Sequence, residues 1–157
     1  MQQKNFKIVL YTPEIPGNTG SIGRTCVALG LELILIKPYG FDIDEKAVRR
    51  AGLDYWKHVK IKEFDSWQDF IDSEKPIREK LIFLENNVNQ SHYEANYAED
   101  CYLVFGSETK GLPKSFYTDY EDRMYHLPMF SDHIRSLNLS NTATAVAFEA
   151  LRQINHS

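Results

Sequence analysis

Apolar and polar residues follow one another along this chain in two rhythms. Short runs rich in β-branched and aromatic residues read as strands: FKIVLY (Phe6–Tyr11), LELILIK (Leu31–Lys37), VKIKEF (Val59–Phe64), KLIFLE (Lys80–Glu85), CYLVFG (Cys101–Gly106) and RMYHLPM (Arg123–Met129). Several are apolar without a break, as in a parallel sheet covered by helices on both faces. Between them lie NTGSIGRTCVALG, DEKAVRRAG and SWQDFIDSEK, each with helical spacing. Asn18 or Thr19 would cap the first helix and Gly30 end it; Asp44 and Gly52 would bound the second; Asp65 and Ser66 would start the third. The alternation predicts one α/β domain over residues 1–157, three-layered and mostly parallel, with no separate appended module.

The final segment breaks the amphipathic rule. IRSLNLSNTATAVAFEALRQ (Ile134–Gln153) is crowded with hydroxyls and amides in its first half and apolar in its second. Ala143, Ala147, Ala150, Leu151 and Ile154 share one helical face, while Thr144, Val146 and Phe148 leave the others small or apolar. Such a helix needs cover on more than one side. A sheet supplies one cover and a second copy of the chain the other, which predicts a homodimer through this helix; burial within one subunit is the alternative.

Composition narrows the chemistry. A chain of 157 residues, 43% hydrophobic and 25% charged, can bury a real core as one domain. Its net charge of −4 argues against a broad electrostatic grip on nucleic acid, but not against a local basic patch. Cys26 and Cys101 form no CxxC and predict buried thiols rather than a disulfide or zinc site. The run IVLY is too short for a signal segment, so a cytoplasmic protein with no membrane partner is expected.

Three polar segments remain. PEIPGNTGSIGRTC (Pro13–Cys26) follows the first strand, at the sheet edge where ligands of such folds bind. Its glycines are spaced GxxGxxG rather than GxGxxG, and the second strand closes on Ile36-Lys37-Pro38 without an acidic residue, so a nicotinamide-dependent oxidoreductase is disfavoured. LVFGSETKGLP (Leu103–Pro113) imitates a phosphate loop but has Leu112 where its lysine belongs, which excludes that ATPase motif. It predicts a strand entering a glycine-bounded turn with Glu108 exposed at its tip, where Gly106 and Gly111 let backbone approach a flat ligand. In HLPMFSDHIRSLNLSNT, Pro128 would end a strand, and Ser136, Asn138, Ser140 and Asn141 exceed what helix capping needs.

Taken together, PEIPGNTGSIGRTC, VFGSETKGLP and LPMFSDHIRSLNLSNTATAVAFEALRQ resemble motifs 1, 2 and 3 of the SPOUT methyltransferases. Within these, the chain is most similar to the small TrmL-type (YibK-like) tRNA 2′-O-methyltransferases, and RRAGLDYW (Arg49–Trp56) is typical of that subgroup. The resemblance spans essentially the whole chain. Gly17, Ser21, Gly23 and Lys110 depart from the commonest pattern, where proline, asparagine, a bulky apolar residue and arginine are frequent; a more flexible first loop is expected from them.

The resemblance implies a C-terminal trefoil knot, with motif 3 threaded through the loop that holds motif 2. It also implies an S-adenosyl-L-methionine-dependent enzyme that methylates the ribose 2′-OH at wobble position 34 of leucine tRNAs, on cytidine or a modified uridine. Leu84, Gly106, Leu127 and Ser136 would contact the methyl donor, with Met129, Leu137 and Asn138 completing its pocket. No metal is implied. Arg24 would be the critical catalytic residue, stabilising charge and orienting the hydroxyl, in its own or the partner subunit's site. Asn18 would position the loop and the ribose. Glu108 would orient Arg24 or contact the donor. For the tRNA anticodon stem-loop, Arg49, Arg50, Lys57, Lys110, Lys114 and Arg135 are candidate phosphate contacts. Tyr55 and Trp56 would stack on bases or, for the tryptophan above all, pack in the core. The rival expectations are the same chemistry on another RNA site, or a non-catalytic RNA-binding protein of this fold.

Overall fold

Strand positions alternate between two apolar layers, which makes the runs strands rather than buried helix turns. The computed structural model describes residues 5–43 and 53–155. Its strands are β1 (Lys7–Tyr11), β2 (Glu32–Ile36), β3 (Lys60–Phe64), β4 (Leu81–Leu84), β5 (Tyr102–Phe105) and β6 (Met124–Tyr125). Its helices are α1 (Pro16–Leu29), α2 (Trp67–Glu74), α3 (Lys114–Asp119) and α4 (Leu139–Asn155). The strands order β3-β2-β1-β5-β4-β6, and every neighbouring pair is parallel. In β1, Ile8 and Leu10 join one core with Ile22 and Cys26 of α1 and Ala143 and Ala147 of α4. Val9 joins the opposite core with Phe70, Phe83 and Phe116. The central strands β1, β2, β4 and β5 are therefore buried on both faces, as their unbroken apolar runs require, while the edge strand β3 is largely exposed.

Local signals succeeded where the partner was local. Gly30 ends α1 in the left-handed region (φ 69°), and Ser66 caps α2 by accepting from the Asp69 N–H. Cys26 and Cys101 are buried free thiols, pushed up by burial to about 12 and about 11. Trp56 is buried in the core.

Three expectations are corrected. Helix α1 begins at Pro16, not after an Asn18 or Thr19 cap; Ile15 precedes it with no side-chain cap. A proline loses nothing at the first helical position, where the N–H has no partner inside the helix. Gly17, Gly20 and Gly23 consequently lie inside a helix, not in a flexible loop. Strand β6 is only two residues long, extended by a Ser91–His126 bridge, so Pro128 does not end it. The sheet expected to be mostly parallel is parallel at every neighbouring pair, which bears that expectation out. The expected second helix, Asp44 to Gly52, lies outside the described residues.

Helix α4 lies against α1, where the Thr25 and Thr144 hydroxyls meet at 2.7 Å. Its small face, Ala143, Ala147, Ala150 and Ile154, is buried within the chain, and Phe148 is left 53% exposed. No described helix is long and apolar enough to cross a membrane. The end of α4 is anchored by Glu149, which accepts from Arg152 Nε and Nη2 and from Gln153 Nε2, while Gln153 Oε1 accepts from the Tyr97 N–H.

The Arg152 hydrogen bond above all holds the Glu149 carboxyl near about 2, below its ordinary 4.5. A lowered folded-state pKa stabilises fully above the unfolded value and is lost as pH falls through the folded one. Glu149→Gln should therefore lower the thermal midpoint at pH 6, with the gap to wild type closing from about 4.5 downwards. A gap that stays constant across that range would show that the anchor is not electrostatic.

Candidate active site

The carboxyl ends of β1, β4 and β5 open onto one cleft of about 1020 Å³. Such an edge collects loops, and loops carry ligand-binding groups. Its shape depends on a tight turn after β5. Ser107 and Gly111 exchange backbone hydrogen bonds at 3.2 and 3.0 Å, and Gly111 adopts φ 67°. A Cβ on Gly106 would stand 2.3 Å from the Gly111 carbonyl carbon and 2.5 Å from the Leu112 nitrogen. Gly106 thus makes room for the turn's own backbone, and it also lines the cleft.

Carboxylates lock this turn to its neighbours. Glu108 Oε1 accepts from the Glu14 N–H at 2.8 Å, and Oε2 from the Ile15 N–H at 2.8 Å and Asn18 Nδ2 at 3.2 Å. A carboxylate there satisfies donors leading into α1 and meets the positive end of that helix. Glu14 reciprocates, accepting from the Thr109 N–H at 3.0 Å and its hydroxyl at 2.7 Å. The Thr109 backbone bond, first, holds the Glu14 carboxyl below its usual range. Glu85, just past β4, accepts from the Leu112 N–H at 3.0 Å. Burial, then the Glu85 carboxylate, pushes the Tyr117 phenol up to about 12, so it stays a neutral donor on the cleft wall.

Asn138 completes the frame from the third segment. Its Oδ1 accepts from the Ser140 and Asn141 N–H groups, capping α4, while its Nδ2 donates to Asn18 Oδ1 at 3.1 Å. One amide therefore joins the start of α4 to α1, and through Asn18 to Glu108, across roughly the whole chain.

Leu84, Gly106, Leu127, Met129, Ser136, Leu137 and Asn138 all line the cleft, as do Asn18, Glu108, Lys110 and Arg135. Arg24 does not. It is exposed on α1, its guanidinium over the Tyr55 ring at 5.0 Å from the centroid. Glu108 therefore does not orient Arg24, because its oxygens are turned to Glu14, Ile15 and Asn18; nor is it simply exposed at a tip, since it is half-buried. Lys57 and Lys114 are exposed away from the cleft, and Arg49 and Arg50 lie outside the described residues. Sequence reasoning missed Glu14, Glu85 and Tyr117; isolated carboxylates beside strand ends carry no local mark of a partner some 27 or 95 residues away.

The Glu108 lock has a measurable consequence. A glutamine there keeps one acceptor but turns an NH₂ group toward donors, so Glu108→Gln should loosen the start of α1. A hydrogen bond to a charged group is worth about 1.5–3 kcal/mol when buried, and half-exposure lowers that. Calorimetric titration should find a ligand of this cleft bound roughly three- to tenfold more weakly; unchanged affinity would leave the lock without influence on the cleft.

A family model described as the SpoU rRNA methylase family matches residues 5–148. A Bacillus subtilis protein named as a candidate tRNA (cytidine(34)-2′-O)-methyltransferase is 47% identical, over 95% of this chain and 93% of that one. A solved structure described as giving insight into 2-OH methylation of C/U34 on tRNA superposes with a TM-score of 0.89 at 36% identity, covering 99% of this chain and all of the other. The SpoU methyltransferase AviRb of Streptomyces viridochromogenes, solved with S-adenosylmethionine, superposes at 0.84 with 25% identity, over 98% of this chain and 62% of that one.

Proposed function

This chain belongs to the SpoU methylase family, and from that premise we propose that it methylates the ribose 2′-OH of nucleotide 34 in tRNA, using S-adenosylmethionine. The observation that carries the reading is the cleft, where three chain segments converge on an apolar floor of Leu84, Phe105, Leu127 and Met129 with polar walls. That donor set fits the methyl donor. The apolar floor suits its adenine, the amides suit its polar edges, and the Glu85 and Glu108 carboxylates suit a ligand bearing cationic groups. When bound, the donor supplies a methyl group on an electron-poor sulfonium.

The chain's own residues have two tasks. Leu84, Gly106, Leu127, Met129, Ser136, Leu137 and Asn138 hold the donor; Asn18 and Glu108 keep that pocket in shape. Arg24 then places a fixed positive charge beside the 2′-oxygen as it loses its proton, a charge a guanidinium does not give up. The proton passes to solvent or a neighbouring phosphate. Lys110 and Arg135 at the rim, with Lys57 and Lys114 further out, hold the RNA backbone, and Arg49 and Arg50 remain candidates from the sequence alone.

A homodimer follows from the same reading. Arg24 stands off its own cleft, and Phe148 lies one turn beyond Thr144, the residue bonded to Arg24's neighbour Thr25. A second copy packed on α4 covers Phe148 and brings one Arg24 to the other cleft. The trefoil knot belongs to this reading too, with residues 127–138 passing through the loop after β5; the cleft lining shared by the two segments supports it.

The deciding experiment follows labelled methyl from the donor to cellular and unmodified tRNA, with mass mapping of the product. A 2′-O-methyl at nucleotide 34 is the expected result. Methylation at another position would retain the chemistry and refute the substrate site, and no transfer to any tRNA would refute the tRNA reading.

A further inference from the structure

Arg24 has a long side chain on an exposed helix surface, and such a side chain loses several rotamers if it is to act from one place. Something must hold it. Its neighbour in α1, Gly23, explains what does. A Cβ at Gly23 would come 2.6 Å from Trp56 Cζ3, 3.1 Å from Cε3 and 3.3 Å from a Val59 methyl. The indole thus rests directly on the helix backbone. A glycine in a helix interior is costly, and here it is retained where it admits a buried tryptophan.

The next residues on each side pair as well. Tyr55 precedes Trp56 in the 3-10 turn Leu53–His58, and its ring lies under the Arg24 guanidinium at 5.0 Å. Two consecutive α1 residues therefore meet two consecutive turn residues: Gly23 takes Trp56, and Arg24 takes Tyr55. The buried pair sets the turn's position, and the turn presents the aromatic face on which the cation rests.

We propose that Tyr55 is the positioning residue for Arg24, its ring holding the guanidinium in the orientation used at the 2′-hydroxyl. The proposal rests on the reading above that Arg24 acts there. The attraction is to the aromatic face, which a phenylalanine ring presents as well.

Tyr55→Leu and Tyr55→Phe in the full-length protein test this, with Arg24→Ala alongside. Tyr55→Leu should lower kcat for methyl transfer by about two- to fivefold, the range of an exposed cation–π contact. The KM for tRNA and the thermal midpoint should hold, and Tyr55→Phe should restore kcat. The Arg24 Nε–Hε resonance, shielded by the ring below it, should move in Tyr55→Leu and stay in Tyr55→Phe. A resonance that does not move overturns the proposal. So does an unchanged kcat, or a raised KM for tRNA at constant kcat, which would make Tyr55 an RNA contact. Full transfer by Arg24→Ala would instead refute the catalytic reading of Arg24, and the resonance would still report whether Tyr55 holds the side chain.

Discussion

Replacing Arg24 by alanine is expected to slow methyl transfer by about two to three orders of magnitude while donor affinity stays at the wild-type level. The two effects separate because of where the residue stands. Arg24 is exposed and does not line the cleft of its own chain, so its loss leaves the donor's walls intact. On the proposed reading, what disappears is a preorganised charge aimed at the oxygen that becomes negative, and one such group is commonly worth about 10²–10³ in rate. Lysine should restore only part of it, because an ammonium lacks the planar face that lies over Tyr55. Single-turnover transfer measured beside calorimetric donor titration checks both halves. A variant that transfers at the wild-type rate would remove Arg24 from the mechanism, and one that fails to bind donor would make it a pocket residue.

Gly106→Ala should strike the opposite half of the site. The added Cβ meets the Gly111 carbonyl carbon at 2.3 Å, the Leu112 nitrogen at 2.5 Å and the Gly111 oxygen at 2.7 Å, all of them backbone. No side chain can turn aside to relieve this. The turn must open, which strains the Ser107–Gly111 bonds and draws the Leu112 N–H from Glu85. Overpacking of this kind costs about 1–3 kcal/mol, so donor affinity should fall by roughly ten- to a hundredfold if the strain is released in the cleft. The thermal midpoint should drop by a few degrees, at about 2–4 °C per kcal/mol for a chain of this size. Unchanged donor affinity with a lowered midpoint would show that the turn shapes the fold but not the ligand's place.

The two variants also test the subunit arrangement. If Arg24 serves the partner's cleft, mixed dimers of Arg24→Ala and Gly106→Ala each hold one complete site. At a methyl-donor concentration too low to load Gly106→Ala, random reassociation should then restore about a quarter of wild-type activity from two impaired proteins. No recovery after subunit exchange would return Arg24 to its own cleft or disprove the dimer.

The sequence alone determined what depends on neighbours along the chain. Unbroken apolar runs predicted the central strands, because a strand buried on both faces must be apolar throughout, and the alternating KIKEF run predicted the exposed edge strand β3. Gly30 and Ser66 predicted helix ends because capping reaches only two or three residues. The three motifs marked which segments line the cleft, through their resemblance to a family rather than through their spacing. Pro16 was a legible helix start that the more familiar cap residues Asn18 and Thr19 obscured. Strand β6 was overestimated because the chain leaves the sheet edge after His126 to cross the cleft, and nothing local in RMYHLPM marks that departure.

The tertiary structure decided who holds whom. Strand order brings β1 beside β5, and only that adjacency places Glu108 against residues 93 and 94 positions earlier. Asn138 reaches Asn18 across 120 positions, and Arg24 finds Tyr55 because Gly23 has no side chain to keep Trp56 away. Hydrogen bonds and ring contacts are specified by distance in space, whereas periodicity and capping act over a few residues of chain. The residue types at the site were therefore legible in the sequence, and their roles waited on the fold that set one beside another.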